Sequence, residues 1–311
     1  MSLTPELLAQ VRRIQIRTQR MVNDVMSGGY TSVFRGSGIE FDQVREYADG
    51  DEIRAIDWNV TARTGELHVK QFMEERELTV LFVLDLSRSM RFGSRGPGGP
   101  SVRAVRAVAA EFCACLALAA QRNNDKTGLI GFTDRVELFV PAKKGSQHVL
   151  RLIRDALAIE PEGRGSDLAR ALDHAARVQR KRSVVFVVSD WAFDPRPAAR
   201  SLRLLARRHD VIAVRISDPA LRRLPNAGLV TVEDLESGAV STVDAGSRRV
   251  RDAYAARIEE HDAILDRELR RARVDRLELA TRGDGANGAT ADLVQPILKF
   301  FRMRELRGSH G

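Results

Sequence analysis

Leu78-Thr-Val-Leu-Phe-Val-Leu-Asp85 is an apolar run broken only by Thr79, and it stops on an acid that opens the polar stretch Asp85-Leu-Ser87-Arg88-Ser89. An apolar run of this length without alternation reads as a strand covered on both faces, as in a parallel sheet lying between helices. Two more runs have the same character: Ser183-Val-Val-Phe-Val-Val-Ser-Asp190 and Val211-Ile-Ala-Val-Arg-Ile-Ser217. Helical patterns stand where a parallel sheet needs its crossovers. Ser101 is a candidate cap for a helix to about Gln121, with Val102, Val105, Val108, Phe112, Cys115 and Leu116 at helical spacing. Further helical patterns cover residues 147–159, 166–180, 197–208, 251–273 and 289–306.

Residues 127–132 and 135–140 read as two short strands joined at Thr133-Asp134, and 275–280 as a sixth. The alternation predicts an α/β fold: a doubly wound, mostly parallel six-stranded sheet of Rossmann type over residues 78–306, followed by a short tail at 307–311. Two stretches fall outside it. Residues 218–246, with strand-like pieces near 229–232 and 240–243, predict a hairpin insertion. Residues 1–77 begin with a basic helix to about Met26 and then become turn-rich, predicting a small N-terminal subdomain of mixed short elements.

Composition narrows the classes. A chain of 311 residues with 43% hydrophobic and 30% charged side chains can bury a large core and is not a disordered polymer. No apolar run approaches the roughly 18 to 20 residues of a membrane span, and the first residues lack a secretory pattern, so a cytoplasmic protein is expected. The net charge of +8 is spread along amphipathic helices with few aromatics, which argues against a nucleic-acid binder. Cys113 and Cys115 sit two apart in a helical pattern, facing different sides, and read as core filler. The histidines are scattered, and the loop Gly93–Gly99 lacks the lysine-hydroxyl ending of a phosphate-binding loop.

In open α/β sheets ligands bind beyond the carboxyl ends of the strands. There the sequence places Asp85, Ser87 and Ser89 after one strand and Asp190 after another, while Gly165-Ser166-Asp167 opens a helix. Carboxylate and hydroxyl oxygens without thiolate or imidazole suit a hard divalent cation: magnesium first, manganese or calcium as alternatives. With few fixed charges such an ion stays electrophilic, and a carboxylate from another molecule is its natural last ligand. Arg88 and Trp191 flank the proposed ion and are candidate partner contacts.

Asp85-x-Ser87-x-Ser89, a later Gly-Ser pair and an aspartate closing the next long strand resemble the metal-ion-dependent adhesion site of von Willebrand factor A domains. The resemblance implies metal ligands at Asp85, Ser87, Ser89, Ser166 and Asp190. Ser166 stands where threonine is usual, keeping the oxygen, and Arg88 where glycine is common. The stretch Phe41-x-x-x-Arg45-x-Tyr47-x-x-Gly50-Asp51-x-x-Arg54-x-Ile56-Asp57-Trp58 narrows this further. With Asn124-Asp125-Lys126-Thr-Gly128, Arg207-Arg-His209-Asp210 and Ser217-Asp218-Pro219, it resembles the bacterial domain-of-unknown-function family fifty-eight. That resemblance implies a metal-binding adaptor or partner of a MoxR-type AAA+ ATPase.

Plainer readings stand beside these. Asp85 and Asp190 are also ordinary strand-end turn residues, and a bound ion has a purely structural alternative. In the N-terminal stretch, Trp58 and Tyr47 are expected to anchor the subdomain while Arg45, Arg54 and Asp57 form a polar network. The main functional expectation is a non-enzymatic, divalent-metal-dependent protein-interaction module. The alternative is a metal-dependent hydrolase or phosphotransferase, which needs a nucleophile or general base from Asp134, Asp167 or Asp194.

Overall fold

Every residue of Thr79–Asp85 is buried, as an apolar strand lying between helices requires. The computed structural model describes residues 18, 21–26, 38–48, 50–75, 78–93, 104–234, 238–281 and 293–308. The first strands are β1 (Gly38–Glu46), β2 (His68–Glu75), β3 (Thr79–Asp85), β4 (Lys126–Phe132) and β5 (Val136–Lys143). They are followed by β6 (Val184–Ser189), β7 (Asp210–Ser217), β8 (Leu229–Glu233), β9 (Val240–Asp244) and β10 (Asp275–Ala280). The α-helices are α1 (Trp58–Thr64), α2 (Val105–Arg122), α3 (Ser146–Ala158), α4 (Leu168–Val178), α5 (Ala199–Ala206), α6 (Arg248–Ala272) and α7 (Val294–Gly308). Residues 21–26 are helical as well.

Six strands form the central sheet in the order β10-β7-β6-β3-β4-β5. Neighbours are parallel except β4 and β5, the edge hairpin that the sequence predicts. From β3 the chain runs to β4 and β5 on one side, then crosses to β6 on the other and continues to β7 and β10. The order therefore reverses at β3, and the carboxyl ends of β3 and β6 flank the crevice where open sheets take ligands.

Side chains of β3 alternate between two cores. Leu81 and Val83 lie with Leu168 and Leu172 of α4, Leu202 of α5 and Leu265 of α6. Phe82 stacks on Phe186 at 5.8 Å, and Phe112 of α2 meets Phe186 edge-on at 5.6 Å. Burying side chains of this size stabilises by roughly 1.5–3 kcal/mol each, so the strand that carries Asp85 is held firmly in the core. Helix α2 is enclosed on nearly all sides, which is why both cysteines are buried although they face different ways. Burial pushes the Cys115 thiol up to about 12, leaving it inert. Helix α7 is tied to the far edge by Arg304, which reaches Asp210 at 2.7 Å and Asp275 at 3.3 Å.

Residues 34–78 form a second compact unit. In it β1 and β2 pair antiparallel, Ile56 bridges to Val69, and the Asp57 carboxylate accepts from Asn59 N at 3.0 Å and Val60 N at 3.3 Å to cap α1. Arg45 donates two hydrogen bonds to Asp51, at 2.6 and 2.7 Å, closing the turn after β1. Two expectations change here. Trp58 is 63% exposed rather than an anchor, because it starts a helix whose cap fixes the backbone without needing the indole. The helical segment 21–26 belongs with the sheet, not with the N-terminal unit: Val22 and Val25 are buried, and Asn23 accepts a hydrogen bond from Arg122 of α2.

Among the described residues, strands β8 and β9 pair only with each other, as an inserted hairpin would, and Leu229 is 74% exposed. Ser101 and all of the Gly93–Gly99 loop after its first residue lie outside the described residues. Helix α2 begins at Val105 with Ala104 as its N-cap and no side-chain cap. Among the described residues, no helix is long and apolar enough to cross a membrane.

Candidate metal centre

Asp85 ends β3 fully buried, and its position follows from the run behind it: the last residue of an enclosed strand projects at the sheet's carboxyl edge. One carboxylate oxygen, Oδ1, accepts from Ser87 N at 2.8 Å, a tight turn that bends the chain into the 3-10 helix Arg88–Arg91. The other, Oδ2, accepts from Ser189 Oγ at 2.7 Å. Ser87 Oγ and Ser89 Oγ are 3.0 Å apart, and Ser89 lies near enough to Asp190 to pull its carboxyl down in part. Asp85, Ser87, Ser89 and Asp190 are thus one connected cluster, joining the ends of β3 and β6.

Electrostatics show what this cluster lacks. Burial first, and the charge of Asp190 second, raise the Asp85 carboxyl from its ordinary value to about 7, despite the donors Ser189 and Ser87. Asp190 is also raised by burial, which outweighs the hydrogen bonds from Ala192 N and Ser89 and the charge of Arg215. Two carboxyl groups held together with too little compensating charge are what a cation would relieve.

Ser166 lies on a loop whose backbone meets the chain just after Ser87. It stands just before α4, whose N-cap is Asp167, accepting from Arg170 N at 3.0 Å. The loop carrying it is fastened to both neighbours: Arg88 N donates to Arg164 O at 3.5 Å, and Asp167 N to Thr133 O at 2.8 Å. Its hydroxyl oxygen is buried without a hydrogen-bond partner among the described residues. A buried hydroxyl left unsatisfied is costly, by about 1–3 kcal/mol. It is the hydroxyl for which the resemblance described above implies a ligand role. The donor set fits a hard divalent ion on these two observations. Among the described residues no group of three or more His, Cys, Asp or Glu side chains is clustered, so the fixed charge is that of two carboxylates with hydroxyls.

The flanking residues divide. Arg88 is half-buried at the crevice. Trp191 is only 1% exposed and is no surface contact, contrary to expectation. Its indole Nε1 donates to Val214 O at 3.2 Å, its amide N donates to Ser189 Oγ at 2.9 Å, and its carbonyl accepts from His261 Nε2 at 2.7 Å. The backbone turns left-handed at this residue, φ 56°, which swings the ring under the strand end instead of out from it.

Several supporting residues were not singled out from the sequence. Ser189 couples Asp85 to Trp191, and its place directly before the strand-end aspartate was the only hint. Glu137 organises the Ser166 loop: it accepts from Thr133 Oγ1 at 2.6 Å, Gly163 N at 2.7 Å and Glu162 N at 3.3 Å. Gly163 allows that approach, because a Cβ there would lie 2.1 Å from Thr133 Oγ1. Thr133 is buried and held by Glu137, so it cannot yield. Gly163→Ala is expected to destabilise the fold by about 1–3 kcal/mol and, where the crevice takes a divalent ion, to weaken that binding by displacing Ser166. Urea unfolding and a metal titration of the same variant read the two effects separately.

The acids that a hydrolase would recruit are engaged elsewhere. Asp134 pairs with Arg135 at 3.2 Å, Asp194 with Arg196 at 2.8 Å, and Asp167 caps α4.

Fold and site together define a class: an α/β protein with a mostly parallel six-stranded sheet and an oxygen-rich crevice at the carboxyl ends of its central strands. Within that class the chain belongs to the family described as Protein of unknown function DUF58, whose model matches residues 43–264. An uncharacterised protein of Mycobacterium tuberculosis (strain ATCC 25618 / H37Rv) is 31% identical over 282 residues, covering 90% of this chain and 86% of that protein. A shorter one of Mycobacterium avium is 33% identical over 169 residues, or 53% of this chain and 93% of its own length. Solved structures with some likeness include the conserved hypothetical protein BatB from Bacteroides thetaiotaomicron, at 15% identity and TM-score 0.43, covering 75% of this chain and 100% of that one. Another is a von Willebrand factor type A structure from Catenulispora acidiphila, at 14% identity and TM-score 0.35, covering 48% of this chain and 35% of that one.

Proposed function

We propose that the chain is a divalent-metal-dependent protein-interaction module, not an enzyme, built as a doubly wound, von Willebrand factor A-like domain with a small N-terminal subdomain. Asp85, Ser87, Ser89, Ser166 and Asp190 would hold magnesium, with manganese or calcium as substitutes. When bound, the ion supplies an electrophilic point that an acidic side chain of another protein can ligate. The observation that carries this reading is the buried, unpartnered Ser166 hydroxyl on a loop whose backbone bonds to Arg88, next to Ser87, together with the two undercompensated carboxyls of Asp85 and Asp190. Asp134 and Asp194 sit in half-exposed ion pairs and Asp167 caps α4, an arrangement that favours binding over hydrolysis. In keeping with the family resemblance, the partner is a MoxR-type AAA+ ATPase or its substrate, met in the cytoplasm.

The test is binding of the purified chain to such an ATPase in magnesium and in chelator. Capture in magnesium that is lost in chelator supports the reading. Equal capture in both, or a chelator effect confined to melting temperature, contradicts it and favours a structural ion.

A pH dependence follows. The metal-free Asp85 carboxyl titrates near 7, so protons compete with the ion, and apparent magnesium affinity should fall about tenfold per pH unit below that point. Stability of the metal-free fold runs the opposite way with pH. The folded state holds the Asp85 proton more tightly than the unfolded chain does, so this group's contribution declines as pH rises from about 4 to about 7. Calorimetric titrations at pH 5.5, 6.5 and 8, with Asp85→Asn as the reference lacking this proton, check both.

A further inference from the structure

Beside the crevice, at the ends of β6 and β7, lies a cleft of about 520 Å³ that shares Asp190 with the metal centre. Its far wall is helix α6. Ile216, Leu221, Ile258 and Ile264 give it an apolar lining, and the volume is enough for a few side chains of a bound segment. Tyr254 holds the rim in place by donating its hydroxyl to Leu221 O at 2.6 Å.

The charges of the cleft are arranged unevenly. Arg215 and Arg222 share the single carboxylate of Asp262, Arg215 at 2.6 Å. Arg215 is buried, and its Nε has no hydrogen-bond partner among the described residues. Arg257 lines the cleft exposed, with no ion-pair or hydrogen-bond partner among the described residues. Of the remaining charged groups, Arg196 is neutralised by Asp194, and Asp218 is buried and already has a partner. With a divalent ion taking up the charge of Asp190, the cleft presents surplus arginine next to an apolar wall.

We infer that this cleft receives the apolar flank of an acidic partner segment whose leading carboxylate goes to the metal centre, with Arg257 and Arg222 engaging further acidic groups of that segment. This rests on the metal reading and specifies its ligand: a peptide segment with an acid, an aliphatic neighbour and a second acid, not a lone carboxylate. The shared Asp190 makes the two sites continuous, so one short segment spans both. Arginine on the rim selects negative segments and rejects positive ones.

The experiment uses the full chain labelled at isoleucine δ1-methyl groups, so that Ile216, Ile258 and Ile264 report on the cleft by NMR. The probe is a pool of acetylated hexapeptides with a fixed central aspartate, and the control is the matching asparagine pool. Magnesium affinity is measured first, by calorimetry, for wild type and Arg257→Glu. The expected result is equal magnesium affinity in the two proteins, saturable shifts of the cleft methyls by the aspartate pool only in magnesium, and binding weakened by about tenfold or more in Arg257→Glu. If magnesium binds but both pools act alike, or the reversed charge leaves binding unchanged, the cleft assignment is overturned while the metal reading stands. If wild type does not bind magnesium, the metal reading fails and the cleft assignment with it. Saturation of the same methyls by ATP and not by the aspartate pool would also overturn the peptide assignment.

Discussion

Asp85→Ala is expected to weaken magnesium binding by about a hundredfold or more, to abolish metal-dependent capture of the partner, and to leave the metal-free protein folded. The large loss follows from position. Asp85 is the buried carboxylate at the centre of the cluster, tied to Ser87 at 2.8 Å and Ser189 at 2.7 Å and facing the charge of Asp190. The survival of the fold follows from electrostatics. At neutral pH a buried carboxyl raised to about 7 opposes folding when ionised, so its removal relieves a cost while giving up two accepted hydrogen bonds. Asp85→Asn keeps the shape and an acceptor for Ser189, and should melt above wild type in chelator at pH 8, with the gap closing toward pH 5. Calorimetry for the ion and thermal unfolding in chelator separate a lost ligand from a lost fold. Unfolding of both variants would make Asp85 a structural residue.

Trp191→Ala is expected to cost about 3–5 kcal/mol of stability. Trp191 is among the largest fully buried side chains, and its ring packs against Phe193 at a centroid distance of 5.8 Å within the core formed by α4, α5 and α6. Its removal also empties the floor beneath Ser189 and Asp190. Trp191→Phe keeps most of the packing but gives up the bond to Val214 O, and should cost about 1–2 kcal/mol. Urea unfolding of the two variants checks the order. If Trp191 were a surface partner contact, both substitutions would leave stability within about 0.5 kcal/mol of wild type.

These two residues show what the sequence makes legible and what it hides. Asp85 was readable because it ends an apolar strand, and a strand end in an open sheet has a known place whatever the rest of the chain does. Ser87, Ser89 and Asp190 follow from the same reasoning, as do the six strands and the antiparallel hairpin. Trp191 was misread because one positive φ angle reverses the direction of a side chain, and no local pattern announces a left-handed tryptophan. Trp58 erred in the opposite sense: an aromatic in a turn-rich segment suggests an anchor, but the Asp57 cap and the Arg45–Asp51 pair already fix those turns. Arg215 carried a signal, a lone cation inside the apolar stretch Val211-Ile-Ala-Val-Arg-Ile-Ser217, and its meaning emerged only with Asp262, far along the chain on α6. Glu137 and Gly163 bear on Ser166 through a loop contact that no spacing rule reveals.

The most direct test is anomalous diffraction from crystals of the full chain grown in manganese. The predicted result is a manganese peak bounded by oxygens of Asp85, Ser87, Ser89, Ser166 and Asp190. A peak elsewhere with this crevice vacant, or the Ser166 hydroxyl bonded to a residue of the chain itself in the same crystal, would contradict it.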